Sequence, residues 1–307
     1  MNSAYIGKLM ELAEKDSNVI HLLADSGTGY DEMFRRNFPH QIYNFGIAEE
    51  NMVAAAAGMA TAGKIPFVFT AGAFLAYRSM EFIRDDVCFQ NLNVKIVGMG
   101  SGLSWSSLGP THHTTEDLAV LRAIPNLMIL SPATPKQVME CVQLAYEHVG
   151  PVYIRIGMNH EKEFYPEDYR MQATANDTLM DGGDLAVFVT GSILEEVHKA
   201  CEMLQADGVQ PKLVNVTSIK PFQPQEVVAA AQAGMPIVTV EEHNIHGGLA
   251  GVIAEEVAFA GMGARVYPIG IEDVFAAGYG NQLMVRKANG LDAEHIYRRM
   301  KEVRTNE

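Results

Sequence analysis

Apolar and polar positions follow two alternating patterns along the first half of the chain. Short runs rich in Val, Ile and Leu predict buried strands, and segments of helical periodicity lie between them. Buried strands separated by helices are typical of a mostly parallel sheet that is covered on both faces. The strands are predicted at residues 18–25, 65–70, 94–99, 127–130 and 152–156, after an amphipathic helix at residues 1–16.

A polar stretch interrupts this alternation and a second series follows it. Residues 161–180 are charged and irregular, which is typical of a linker. We therefore predict an α/β fold with two three-layer α/β/α domains, residues 1–160 and 181–307, joined by a linker at 161–180. The strands of the second series are predicted at residues 184–190, 211–216, 236–241 and 265–268.

The segment YNFGIAEENMVAAAAG, residues 43–58, places an acid at the start of an apolar helix. Its β-prone run breaks at Gly46, and the following helix carries Glu49 and Glu50 in its first turn. Burying a carboxylate is costly, although the helix dipole offsets part of that cost. Glu49 lies on the same helix face as the apolar residues Met52, Val53, Ala56 and Ala57. Either a structural salt bridge or a functional site would explain a carboxylate on this face.

A long Gly- and Ser-rich loop, GMGSGLSWSSLGPTHHTT at residues 98–115, leaves the end of a predicted strand. Ligands bind at that edge in open parallel sheets. His112 and His113 could transfer protons there, or could close backbone hydrogen bonds at the next helix. We expect at least one of them to be functional, with Trp105 either lining a pocket or covering an edge.

Three further features have a structural and a functional interpretation. Phe74, Tyr77 and Met80 form a stripe that is usually core but could meet a flat ligand. Arg155, in the apolar strand VYIRIG, needs either an acid partner or a bound anion. The segment EEHNIHGGLAG, residues 241–251, is equally compatible with an anion site and a domain contact.

Composition limits the classes of partner. The 307 residues carry a formal charge of −14, which argues against nucleic acid and anionic membranes. Three widely spaced cysteines without a CxxC pair favour buried thiols in a reducing compartment. No signal peptide, membrane-length apolar run, Walker loop or zinc-spaced ligand set is evident. We expect a cytoplasmic protein and assign no metal ligands to it.

The motifs together resemble the C-terminal half of a transketolase, of the kind found as a separate subunit. The resemblance spans essentially the whole chain and rests on ADSGTG, FGIAEENMVAAAAGMATAGKIPFV, AFLAY, LGPTHHTTEDLAVLRAIPNLMIL, GPVYIRIG, GSILEEV, SIKPF and VTVEEHNIHGGLAG. It implies a thiamine-diphosphate enzyme whose pyrimidine-binding domain is followed by the smaller transketolase C-terminal domain.

The resemblance also implies roles for residues around the cofactor. Glu49 matches the glutamate that hydrogen-bonds the aminopyrimidine ring and favours its imino tautomer, whose exocyclic nitrogen deprotonates the thiazolium carbon. Phe74 and Tyr77 match positions around the pyrimidine ring. Ile47 is also expected to bind the cofactor. His112 matches a histidine that contacts substrate.

Substrate recognition is the point at which the chain departs from typical members. At the position of Leu108, typical members have an Asp that accepts a hydrogen bond from a sugar hydroxyl. At the position of His113 they more commonly have a Gln. An apolar side chain accepts no hydrogen bond, so a substrate with different stereochemistry or fewer hydroxyls is expected. Arg155 resembles a position used for substrate phosphate, with Arg35 and Arg36 as weaker candidates.

The family's other half, which holds the metal and diphosphate, has no counterpart in this sequence. The resemblance therefore implies a partner subunit that carries Mg²⁺ or Ca²⁺, with the cofactor at the interface and a heterotetramer as the simplest assembly. Ketol transfer between sugar phosphates is the expected reaction. The alternatives are a 1-deoxyxylulose-phosphate-synthase-like enzyme, the β subunit of a 2-oxoacid dehydrogenase, or a scaffold that has lost its chemistry.

Overall fold

Two β-sheets, each flanked by helices, organise the chain. The computed structural model describes residues 1–25, 29–158, 161–172 and 175–305. In those residues the strands form one seven-stranded sheet and one five-stranded sheet. The α/β class predicted from the sequence is confirmed.

Most pairings in both sheets are parallel. The first sheet contains β1 Val19–Leu23, β2 Ile42–Asn44, β3 Ile65–Ala71, β4 Lys95–Met99, β5 Met128–Leu130, β6 Val152–Ile156 and β10 Ser218–Lys220. The second contains β7 Asp177–Met180, β8 Leu185–Thr190, β9 Pro211–Asn215, β11 Ile237–Asn244 and β12 Val266–Ile271. The strand order is β10-β5-β6-β4-β3-β1-β2 in the first sheet and β12-β11-β8-β9-β7 in the second. Only β10 and β7, one at the edge of each sheet, pair antiparallel with their neighbours among the described strands.

Helices cover the sheets between these strands. They are α1 Asn2–Lys15, α2 Gly29–Asn37, α3 Glu49–Thr61, α4 Met80–Phe82, α5 Asp117–Arg122, α6 Pro135–Glu147, α7 Leu194–Ala206, α8 Gln225–Gln232, α9 Leu249–Phe259, α10 Gln282–Ala288 and α11 Ala293–Thr305. Two π-helical segments, Phe74–Arg78 and Ile83–Cys88, flank α4.

The edge strands depart from the simple division into two domains. Strand β7 lies inside the stretch predicted as a linker and completes the second sheet. Strand β10 follows the second domain's β9 in sequence but pairs with β5 of the first sheet. Both are three or four residues long, so neither contains enough residues for a periodic signal. The predicted domain boundaries stay a prediction.

The two sheets share one hydrophobic core on their facing sides. A single cluster of buried side chains contains Val68 and Ile96 of the first sheet together with Phe188 and Val214 of the second. All four are fully buried. Because apolar burial is continuous across the boundary, the domains pack against each other as one unit.

Arg155 lies at this boundary and is held by a buried acid. Its Nε donates to both carboxylate oxygens of Asp117 at 3.0 and 2.9 Å, and its Nη2 donates to the backbone oxygens of Thr114 and Glu242 at 2.8 and 3.0 Å. Tyr153 donates its hydroxyl to Asp117 as well, at 2.8 Å. Arg155 is 1% exposed, so its burial and its pairing with Asp117 favour the salt-bridge interpretation, and its contact with substrate phosphate stays a prediction.

Removing the charge of Asp117 should therefore destabilise the fold. Asp117→Asn leaves the Arg155 guanidinium buried without a counter-ion, which costs on the order of 3–5 kcal/mol of unfolding free energy. Urea unfolding measures this loss. The matched control is Glu255→Gln, which breaks an ion pair to Arg122 in which the Glu255 side chain is 50% exposed, and it should cost below about 1 kcal/mol. Equal losses for the two variants would contradict the structural role of Arg155.

Candidate active site

Three segments of the first domain meet at the carboxyl end of its sheet. They are the start of α3, the π-helical segment after β3 and the loop between β4 and α5. Parallel strands end at one edge, so residues far apart in sequence come together there. The predicted site residues Glu49, Phe74, Tyr77 and His112 all lie on these segments.

Glu49 is the buried acid of this group. It begins α3 and is 2% exposed, and its helix face is formed by the buried side chains that the sequence predicted, Met52, Val53, Ala56 and Ala57. Gly46 precedes the helix with φ +67°, a backbone conformation that favours glycine, so the chain turns sharply from β2 into α3. The turn places the Glu49 carboxylate at the sheet edge.

The carboxylate has a partner that the sequence interpretation missed. Nη1 of Arg78 donates to Oε2 of Glu49 at 2.5 Å, and 39% of the Arg78 side chain is exposed. The Arg78 guanidinium carbon also lies 5.1 Å from the centre of the Phe74 ring, within the range of a cation–π contact. Arg78 directly follows Tyr77 in the aromatic helix start, and this position next to the aromatic stripe was the only sequence signal for it.

The segment carrying Arg78 is not the regular helix that the stripe predicted. Phe74–Arg78 is π-helical, and Ser79 then interrupts the helix with φ −93° and ψ 12°. Single turns of π-helix occur frequently at functional sites. Phe74 and Tyr77 both reach the loop after β4, whereas Met80 packs against the core.

Tyr77 is fixed by a carboxylate on that loop. Its hydroxyl donates to Oε2 of Glu116 at 2.7 Å and accepts from the backbone N–H of Glu116 at 3.0 Å. Burial, together with the charges of Asp117 and Glu116, raises the pKa of Tyr77. The phenol therefore stays protonated and acts as a hydrogen-bond donor.

The loop itself is closed by a short bridge between Gly102 and Thr114. Their backbone N–H and C=O groups pair in both directions at 3.0 and 2.9 Å. Gly102 has φ +59°, and a Cβ there would lie 2.5 Å from the Cβ of Glu242 in the second domain. This close approach requires glycine, so the second domain supports the loop that carries the histidines.

The two adjacent histidines occupy different environments. The ring of His112 is half-buried, 5.1 Å from the Phe74 ring and 6.2 Å from the Trp105 ring. His113 is 2% exposed, and neither of its ring nitrogens has a hydrogen-bond partner among the described residues. Burial lowers the pKa of His113, with Glu242 and Glu116 acting in the opposite direction. His113 is therefore neutral near pH 7, with one donor and one acceptor nitrogen to offer.

Several predicted site residues lie on the surface. Ile47 is 75% exposed and Leu108 is 47% exposed. Arg35 and Arg36 are exposed in the last turn of α2. The loop before α2, residues 26–28 of the ADSGTG motif, lies outside the described residues.

The Gly-rich segment of the second domain is a domain contact. The Glu241 carboxylate accepts from the backbone N–H groups of Leu249 and Ala250 at 2.7 and 2.9 Å, so the chain's own acid occupies the start of α9. Nε2 of His243 accepts from the backbone N–H of Ala119 in the first domain at 3.3 Å.

Among the described residues no three His, Cys, Asp or Glu side chains converge on a possible metal position, and no helix is long and apolar enough to span a membrane.

Comparison with known proteins identifies both halves of the chain. Residues 1–159 match the transketolase pyrimidine-binding domain, and residues 176–296 match the transketolase C-terminal domain. A Methanocaldococcus jannaschii protein described as a transketolase C-terminal section is 36% identical, over 98% of this chain and 95% of its own. One of the subunits of the apulose-4-phosphate transketolase of Actinobacillus succinogenes is 34% identical, over 95% and 94% of the two chains.

A solved structure agrees with these matches. A split-gene transketolase, described as an inactive beta4 tetramer, superimposes with a TM-score of 0.91 at 33% identity and covers 99% of this chain and 98% of that chain. The chain therefore belongs to the transketolase family, whose enzymes depend on thiamine diphosphate. Within that family it corresponds to the C-terminal subunit of a split transketolase.

The environment of His113 predicts a change in the pH dependence of stability. Its pKa in the folded chain lies below the unfolded value of about 6.5, so the unfolded state binds more protons and stability falls as the pH drops through that value. His113→Gln removes this contribution and should lose less stability between about pH 7 and about pH 5.

Thermal unfolding across this pH range measures the effect. His40→Gln, at an exposed position, is the control and should follow the unmodified chain. Coinciding pH profiles for His113→Gln and His40→Gln would contradict the buried, neutral state of His113.

Proposed function

We propose that this chain is one subunit of a thiamine-diphosphate-dependent transferase that moves a two-carbon ketol unit between sugar phosphates. The observation that carries the proposal is the meeting of a buried carboxylate, Glu49, with the aromatic ring of Phe74 and the imidazole of His112 at one sheet edge. Because the chain belongs to the transketolase family, we interpret these three side chains as part of a thiamine-diphosphate site.

The residues present fit one half of thiamine diphosphate. A flat, nitrogen-rich pyrimidine needs a hydrogen-bonding acid and an aromatic face, and Glu49 and Phe74 supply these. Tyr77, three residues after Phe74, and Ile47, two residues before Glu49, are further candidates for contacting the ring. The diphosphate half needs a divalent metal, and the described residues contain no group of three metal-ligating side chains to hold one. We therefore assign Mg²⁺ or Ca²⁺ and the diphosphate to a partner subunit.

Glu49 would act on the pyrimidine ring nitrogen through a hydrogen bond. When bound, the cofactor would supply a nucleophilic thiazolium carbon for ketol transfer. His112 lies 5.1 Å from the Phe74 ring and 6.2 Å from the Trp105 ring, and it would hydrogen-bond a substrate hydroxyl there. His113, the next residue, is buried and has two ring nitrogens without a hydrogen-bond partner among the described residues.

The substrate should present few hydroxyls towards Leu108. This side chain is 47% exposed and accepts no hydrogen bond. The Actinobacillus succinogenes relative is named for apulose 4-phosphate, and a phosphorylated ketose is the substrate class that we favour here. Arg155 is buried, and Arg35 and Arg36 are the exposed candidates on this chain for contacting the phosphate.

Partner binding at this edge is supported by exposed apolar groups beside the site. Ile47, two residues before Glu49, and Leu108, on the loop that carries His112, are exposed, and the relatives are named as a section or as one subunit of an enzyme. We propose an assembly with an N-terminal transketolase subunit, in which two copies of each chain form a heterotetramer. The thiols of Cys88, Cys141 and Cys201 are free and buried, which suits the cytoplasm.

Replacing Glu49 tests the catalytic proposal. In the complex reconstituted with its partner, Glu49→Gln keeps the shape of the side chain but removes its acid function, so turnover in ketol transfer should fall by a factor of about 10² to 10⁴. Glu50→Gln, one residue along the same helix turn, is the matched control and should retain activity. If Glu49→Gln turned over at the unmodified rate while Glu50→Gln did the same, Glu49 would have only a structural role.

A further inference from the structure

One side chain engages both groups that the proposed function assigns to the pyrimidine ring. Arg78 donates to the Glu49 carboxylate at 2.5 Å, and its guanidinium carbon lies 5.1 Å from the centre of the Phe74 ring. The contact with Glu49 is polar and the contact with Phe74 is cation–π, so the two contacts are independent of each other. Both are made by the same planar group.

The chemistry of a guanidinium explains why it suits this position. It is flat, it stacks on aromatic faces, and its N–H groups donate to carboxylates. An aminopyrimidine ring would interact in the same two ways, because it would hydrogen-bond the acid and contact the aromatic ring. Arg78 already engages Oε2 of Glu49 and the Phe74 ring, which are the two groups that the pyrimidine ring would use.

The position of Arg78 allows it to leave. Its side chain is 39% exposed, in contrast to 2% for Glu49, so the guanidinium can move into water without opening the core. The π-helical segment ends at Arg78, and the next residue, Ser79, breaks the helix and buries a hydroxyl that has no hydrogen-bond partner among the described residues. The backbone beside Arg78 is thus less constrained than a continuous helix.

We propose that Arg78 is a resident stand-in for the pyrimidine ring, which caps Glu49 in the cofactor-free chain and is displaced when thiamine diphosphate binds. This inference rests on the proposed function. The cap neutralises a carboxylate that is otherwise buried without a partner before the two polypeptides assemble. It also opposes cofactor binding, because the ion pair and the ring contact are lost when the cofactor enters.

The dissociation constant of thiamine diphosphate in the reconstituted complex tests this proposal. Calorimetric titration in the presence of Mg²⁺ compares the unmodified complex with Arg78→Met. Loss of the competing contacts should tighten binding by about tenfold. Without cofactor, the Arg78→Met chain should unfold at a lower temperature, because Glu49 then has no counter-ion.

Two further variants make the result specific. Arg84→Met removes another arginine from the same helical region, where it pairs with Asp85 and its side chain is 65% exposed, and it should leave the dissociation constant unchanged. Arg78→Lys keeps the charge but loses the planar group, so it should bind the cofactor with intermediate affinity. High salt should narrow the difference between Arg78→Met and the unmodified complex, since it weakens the ion pair.

The outcomes separate this proposal from the function on which it rests. If the unmodified complex binds thiamine diphosphate and Arg78→Met binds it equally or more weakly, Arg78 does not compete with the cofactor and the stand-in role is wrong. If the unmodified complex binds no thiamine diphosphate, the proposed function fails, and the stand-in role fails with it.

Discussion

A buried carboxylate at the start of an apolar helix must be neutralised, and the arrangement of the candidate site follows from that requirement. Glu49 is 2% exposed, and the helix dipole alone compensates only part of its charge. In this chain the Arg78 guanidinium supplies the rest while it contacts the Phe74 ring. In the proposed holoenzyme the pyrimidine ring takes over both contacts. The same constraint thus accounts for the structure of the free chain and for its chemistry.

A second buried charge connects the site to the rest of the molecule. Arg155 pairs with Asp117 and also donates to the backbone of Thr114 and Glu242, so one guanidinium joins a central strand, the histidine loop and the second domain. Gly102 lies against Glu242 on the other side of that loop. The position of His112 therefore depends on the second domain, although that domain contributes no proposed catalytic residue.

The sequence predicted those features that depend only on neighbouring side chains. The buried strand at residues 152–156 and the apolar face beneath Glu49 are as expected, because each is determined by the order of a few neighbouring side chains. The partners of buried charges were harder to predict. The pairing of Glu49 with Arg78 depends on a π-helical segment, and the pairing of Arg155 with Asp117 depends on how a loop folds back against the second domain. The pairing of strand β10 was also hard to predict, because its partner strand lies in the other half of the chain.

The central claim is that this chain supplies the pyrimidine half of a cofactor site shared between two polypeptides. Equilibrium dialysis of thiamine diphosphate with Mg²⁺ against this chain, against its partner and against their mixture tests it directly. Tight binding by the mixture alone, accompanied by ketol transfer, is the predicted result. Tight binding and full activity of this chain by itself would contradict the claim.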